Sequence, residues 1–275
     1  MAGFRQAFAI AATVACCGGL ATTSAHAVTY PESMGAAGDS ITRATDSCAG
    51  TPPIECPQNS WSIGTEAAVN SIYQRIRAVH AGITEHLVEA AVFGAKVAAL
   101  GGQFSVLVRS QPQFVTVEIG ANDACTERVE EMTSAAAYAR EVESSLRFLT
   151  ERVIGVRILV ASVPDVYRLW ALLRTSFFAR AVWSAGRICQ SLLREPEAMT
   201  PAAEARRLSV RTRVVEYNEA LRRACAVYIR ACQYDGRRFF EANFETGEVS
   251  TSDYFHPSVR GQGTLAREEW EITLF

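Results

Sequence analysis

The sequence predicts an α/β fold built on a parallel sheet with helices on both faces. Short apolar runs bounded by turn residues recur at 33–37, 86–92, 114–119 and 157–163, with a weaker one at 238–244. Runs of that length and composition read as buried strands. Between them lie longer stretches with helical spacing: Val69, Ile72, Tyr73 and Ile76 share one face, as do Tyr138, Val142, Leu146 and Leu149, and again Val214, Tyr217, Leu221 and Tyr228. Strands alternating with helices imply right-handed crossovers, and therefore parallel pairing with both faces covered. In such a sheet functional groups gather beyond the carboxyl ends of the strands.

Residues 28–275 are expected to form one domain, because no Pro/Ser linker or internal repeat divides them. Residues 1–27 read as a cleavable secretory leader: Arg5, an apolar run from Ala7 to Ala15, then Ala25-His26-Ala27 as an A-x-A cleavage site. The mature chain is then extracellular. Its apolar runs fall short of the roughly 20 residues a membrane span needs, so no stable membrane insertion is expected. Acylation of Cys16 or Cys17 as a lipoprotein is the rival, but neither follows a convincing leucine. A net charge of −2 over 275 residues argues against nucleic acid or an anionic membrane as the main partner. A monomer is expected.

Six cysteines lie beyond the leader: Cys48, Cys56, Cys125, Cys189, Cys225 and Cys232. An even number in an exported chain points to three disulfides, among 15 possible connectivities. Short-range closure favours Cys48 with Cys56 and Cys225 with Cys232, which leaves Cys125 for Cys189. A zinc site would need C-x2-C spacing or clustered histidines, and the sequence has neither.

The stretch GAAGDSITRATDSC, residues 35–48, places Gly38, Asp39 and Ser40 just past the first predicted strand. A glycine there permits a tight turn, and an aspartate can stabilise it, which leaves the serine exposed. The same residue types also cap helices routinely, so the three letters alone decide little. A serine nucleophile needs a base, usually a histidine oriented by a carboxylate. Of the three histidines beyond the leader, His80 ends a predicted helix and His86 opens the second strand, at the wrong edge. His256 stands in SDYFHPS, three residues after Asp253, in a loop beyond the last predicted strand. That spacing lets the carboxylate fold back onto one imidazole nitrogen and frees the other for Ser40. An oxyanion needs donors as well. Asn122 follows the third strand in EIGANDAC, and the backbone N–H of Gly94 follows the second in VFGAKV.

Taken together, GDSIT, FGA, GAND and DYFH, in that order, resemble the four blocks of the SGNH, or GDSL-type, hydrolase family of lipases and esterases. The resemblance runs from residue 38 to 256. It implies a three-layer α/β/α, flavodoxin-like five-stranded parallel sheet. It also implies Ser40 as nucleophile, His256 as base, Asp253 as its orienter, and an oxyanion hole of the Ser40 N–H, the Gly94 N–H and the Asn122 side chain. Ile41 replaces the leucine of the motif, and Glu89 and Ala90 stand before Gly94, where the family often has asparagine. The three disulfides and the CPQNSW stretch resemble secreted actinobacterial members. The reaction implied is hydrolysis of acyl esters of small molecules or lipids, with no cofactor and no metal. Acyl transfer, deacetylation of a carbohydrate, or a cell-surface binding protein with a decayed site are the alternatives.

An α/β-hydrolase would need G-x-S-x-G in mid-chain, whereas Thr42 stands two residues after Ser40. A flavodoxin-like binder using residues 35–40 as a phosphate loop would lack the P-loop lysine and have no use for Asp253 and His256. Trp170, Phe177, Phe178 and Trp183 form an aromatic stripe that could line an acyl groove or belong to the core. Asp165 lies at the functional edge and could simply cap the following helix.

Overall fold

The computed structural model describes residues 29–273, together with Met1 and Gly3; the predicted leader and its cleavage site lie outside the described residues. The chain builds a five-stranded sheet in which all pairings are parallel, in the order β2-β1-β3-β4-β5. The strands are β1 (Met34–Gly38), β2 (Leu87–Glu89), β3 (Phe114–Glu118), β4 (Arg157–Val160) and β5 (Cys232–Tyr234). β1 and β3 are buried along their whole length, as strands covered on both faces must be.

The helices are α1 (Ile72–Val79), α2 (Leu100–Ser110), α3 (Ala121–Ala124), α4 (Ala135–Arg152), α5 (Val166–Leu173), α6 (Phe177–Ala185), α7 (Gln190–Leu193), α8 (Pro201–Val227), α9 (Arg238–Glu241) and α10 (Val259–Trp270). The strand order reverses at β1. With right-handed crossovers, the β1-to-β2 connection lies on one face and the later ones on the other. α2, α4 and α8 accordingly pack side by side, while α10 returns to pack on α1. The predicted helical stripes are their inner faces, with Ile72, Tyr73 and Ile76 buried in α1, Tyr138, Val142, Leu146 and Leu149 in α4, and Val214, Tyr217 and Leu221 in α8.

The fifth strand departs from the sequence reading. The apolar run at 238–244 contains helix α9, whose Phe239 and Phe240 are buried, Phe239 edge-on to Trp61 at 4.9 Å. The fifth strand is the three-residue Cys232–Tyr234, paired with Ile158, Leu159 and Val160. Its half-polar CQY sequence carries no strand pattern. Cys232 is instead held beside the end of α8 by its disulfide with Cys225. The other two disulfides join Cys48 to Cys56, a pair that short-range closure favours, and Cys125 to Cys189, the pair left over.

Candidate active site

β1 ends at Gly38 with φ +153°, and a Cβ there would lie 2.3 Å from the Glu118 carbonyl oxygen and 2.5 Å from Thr42 Oγ1. Only glycine fits so close to its neighbours. Asp39 then closes the turn, its Oδ1 accepting the Ile41 N–H at 2.9 Å. Two glutamines that sequence reasoning missed hold this turn from opposite sides. Gln103 of α2 receives the Gly38 N–H and donates to the Gly38 carbonyl, both at 2.8 Å. Gln262 of α10 donates to the Ile41 carbonyl at 2.9 Å. Gln262 Oε1 also accepts the Trp61 N–H at 2.9 Å, so each of these buried amides both accepts from and donates to backbone groups. Neither residue carries a sequence signal, because each is a lone glutamine on an amphipathic helix.

Ser40 is thereby presented at the carboxyl edge of the sheet, 5 % exposed, with Oγ 2.8 Å from His256 Nε2. On the far side of the ring, Nδ1 lies 2.5 Å from Asp253 Oδ2. The other Asp253 oxygen accepts the N–H groups of Phe255 and His256, so the DYFH segment folds back on itself as its spacing predicts. Tyr254 takes a left-handed conformation in this turn, and buried Trp183 of α6 donates its indole N–H to the Tyr254 carbonyl at 2.9 Å. His80 and His86 are elsewhere: both ring systems contact Glu32, which precedes β1.

Asn122 sits in α3, just after Gly120 at φ +134°. Its side-chain amide donates to the Ala95 carbonyl at 3.1 Å and, more weakly, to Asp39 Oδ2 at 3.3 Å. The loop after β2 thus meets Asn122. Gly94 itself lies in an exposed turn of that loop at φ +70°, and the loop residue lining the cleft beside Ser40 is Phe93. Glu89, at the end of β2, pairs with Arg43 at 2.6 Å.

The electrostatics follow from burial and from these partners. Burial by itself disfavours the His256 imidazolium, but the hydrogen bond and charge of Asp253, with Asp46 and Asp39 behind, outweigh it and raise the pKa above the ordinary value. Burial pushes Asp253 up, and its contact with His256 more than reverses this, leaving it below the usual carboxylate range. A hydroxyl, an imidazole and a carboxylate in one line can move a proton off the hydroxyl as it attacks an electrophile.

Ser40, Asn122, Asp253 and His256 share a cleft of about 510 Å³, walled by Phe93, by Val182 and Ile188, and by the Cys125–Cys189 disulfide. A second cavity of about 320 Å³ also reaches His256 and Phe255, lined by apolar groups such as Leu169, Leu172, Phe239 and Phe244. The aromatic stripe divides: Trp170 and Trp183 are core, whereas Phe177 and Phe178 point outward and are largely exposed. Asp165 caps α5 through the Tyr167 N–H and pairs with Arg211 at 2.8 Å.

A model of the GDSL-like lipase/acylhydrolase family matches residues 36–263. The chain belongs to that family. Solved structures share the fold of this GDSL-like lipase/acylhydrolase over most of their length. TesA is 15 % identical with a TM-score of 0.52, over 87 % of this chain and 96 % of its own. An extracellular lipase from Streptomyces rimosus is 16 % identical with a TM-score of 0.51, over 88 % and 99 %. A GDSL-like lipase from Parabacteroides merdae is 15 % identical with a TM-score of 0.53, over 86 % and 93 %. The comparison with curated proteins returned no match.

Proposed function

We propose that this GDSL-like hydrolase is a secreted carboxylic ester hydrolase acting on acyl esters through a Ser40–His256–Asp253 triad and an acyl-enzyme intermediate. The observation that carries the reading is the unbroken hydrogen-bonded line from Ser40 Oγ through both ring nitrogens of His256 to Asp253, at the mouth of a cleft. Its members come from opposite ends of the chain, which a helix cap or a surface turn would not require.

In acylation the Ser40 proton passes to Nε2 as Oγ bonds to the acyl carbon, and the carbonyl pair moves onto oxygen. The oxyanion is assigned to the Ser40 N–H and Asn122 Nδ2, which line the cleft; the Gly94 N–H that the family resemblance implies as a third donor lies in the exposed turn next to Phe93. The long Asn122 to Asp39 contact, at 3.3 Å, is one a developing oxyanion can displace. His256 then returns the proton to the leaving alcohol, and water repeats the sequence to free Ser40. Two largely apolar spaces that both reach His256 suit an acyl chain better than a highly hydroxylated substrate. Three disulfides are consistent with export through the predicted leader.

The deciding experiment is labelling with a fluorophosphonate, alongside turnover of p-nitrophenyl esters of increasing chain length. Stoichiometric labelling at Ser40, absent in Ser40→Ala, is the expected result. Ester turnover that persists in Ser40→Ala would overturn the reading.

A further inference from the structure

His256 Nδ1 faces two carboxylates. Besides Asp253 at 2.5 Å, Asp46 Oδ2 lies 3.8 Å away, and carboxylate oxygens of both aspartates and a ring nitrogen of His256 all fall within 4.8 Å of one another. Asp46 belongs to no block of the family resemblance. It precedes Cys48 by two residues, and the structure goes to some length to hold it. Its backbone N–H donates to the Ile54 carbonyl at 2.7 Å, and its Oδ1 accepts the Ile54 N–H at 2.9 Å. Its own carbonyl accepts the Ser250 hydroxyl at 2.5 Å, which ties it to the segment leading into Asp253. The Cys48–Cys56 bridge closes the loop that contains Ile54, and Arg43 pins the same loop through Glu55. Asp46 adopts φ +58°, a left-handed conformation that aspartate tolerates better than most non-glycine residues. With these anchors in place, Oδ2 turns toward the imidazole from a side chain that is 3 % exposed.

We propose that Asp46 is a second positioning carboxylate for His256, sharing with Asp253 the task of keeping Nδ1 protonated and stabilising the imidazolium. This rests on the serine-hydrolase reading above. When Nε2 takes the Ser40 proton, Nδ1 keeps its own, and the new positive charge lies between Asp253 in hydrogen-bond contact and Asp46 at ion-pair range. The groups facing this ring are Asp253 from its own loop, Asp46 from the disulfide loop and Asp39 from the end of β1, with Glu118 of β3 behind Asp39. Burial and Asp253 hold the Asp46 carboxyl above its ordinary value, as expected for two acids sharing one imidazole.

A purely structural Asp46 would act only through Oδ1 and Ile54. Asp46→Asn keeps that acceptor and removes the charge at Oδ2, whereas Asp46→Ala removes both. The first readout needs no activity: the His256 ring is titrated by NMR in Ser40→Ala, with and without Asp46→Asn. Loss of Asp46 should lower the midpoint by about one pH unit. In the active enzyme, Asp253→Asn should cost about a hundredfold in kcat, not the roughly ten-thousandfold seen where an orienting carboxylate has no understudy. Asp46→Asn in that background should restore the full loss. An unmoved His256 midpoint would overturn the proposal. So would Asp46→Asn behaving as wild type while Asp46→Ala loses turnover, or Asp46→Asn costing the same factor with and without Asp253. Activity persisting in Ser40→Ala would instead sink the serine reading, and the titration would still report on Asp46.

Discussion

Asp39 and Glu118 bury their carboxyl groups against each other at the ends of two adjacent strands, immediately behind the Ser40 turn. Both are fully shielded. Among the described residues, no N–H or hydroxyl donor reaches either Glu118 oxygen, which leaves the Asp39 carboxyl as its partner. Burial pushes Asp39 up to about 6, and burial together with the neighbouring Asp39 holds Glu118 well above its ordinary value. The pair therefore retains protons that the unfolded chain releases.

The sign of the pH effect follows. Where the folded state binds more protons than the unfolded one, stability falls as pH rises, here from the ordinary carboxylate range upward through the raised folded values. Glu118→Gln removes one acid and supplies an amide donor to Asp39. Thermal melts should show the variant matching wild type near about pH 4 and exceeding it near neutrality by about 1–3 kcal/mol, the scale of one unsatisfied buried group. Equal or lower stability at neutral pH would mean that the pair is compensated by groups not yet recognised.

Ser40→Ala and His256→Ala should each remove nearly all esterase turnover, and combining them should add little. Nucleophile and base act as one unit, so the second loss has nothing left to take. Circular dichroism should be unchanged. Losses that multiply in the double variant would indicate independent roles.

Asn122→Ala should lower kcat about 100-fold to 1,000-fold with little change in KM, as expected of a donor that strengthens only in the transition state. A change confined to KM would make Asn122 a ground-state binding residue.

The rate should also report His256 directly. The imidazole must be neutral to accept the Ser40 proton, and its carboxylate neighbours raise its pKa despite burial. The acid limb of kcat/KM should accordingly have its midpoint above 6.5, the ordinary histidine value. A lower midpoint would show that desolvation prevails over Asp253 and Asp46.

The Cys125–Cys189 bridge spans 64 residues and walls the cleft, whereas Cys225–Cys232 spans 7. Chain entropy assigns the longer loop about 4 kcal/mol and the shorter about 2.5 kcal/mol. Replacing Cys125 and Cys189 by serine should depress the melting temperature more than replacing Cys225 and Cys232. It should also slow turnover at temperatures where the variant remains folded, because α3 carries both Cys125's neighbour Ala124 and Asn122. Unchanged turnover per folded molecule would confine the bridge to a stabilising role.

What was legible in the sequence is what local chemistry dictates. Four of five strands announced themselves as apolar runs, and the helical faces as regular spacing, because burial on one or both sides imposes those periods on any such fold. Ser40, Asn122 and the Asp253–His256 pair could be picked out because a turn after a strand needs particular residue types at particular spacings, and three residues suffice to fold Asp253 back onto His256.

The rest was decided in three dimensions. β5 is three residues held beside α8 by a disulfide and by hydrogen bonds to β4, so its own sequence needed no strand pattern, while the more strand-like Phe239 and Phe240 went into a helical turn against Trp61. Gln103 and Gln262 clamp the Ser40 turn across 65 and 221 positions, and Ile54 and Ser250 hold Asp46 near His256. All of those partners except Ile54 lie far apart in the chain. Their roles follow from which polar groups burial leaves to be satisfied, and only the assembled sheet and its loops determine that.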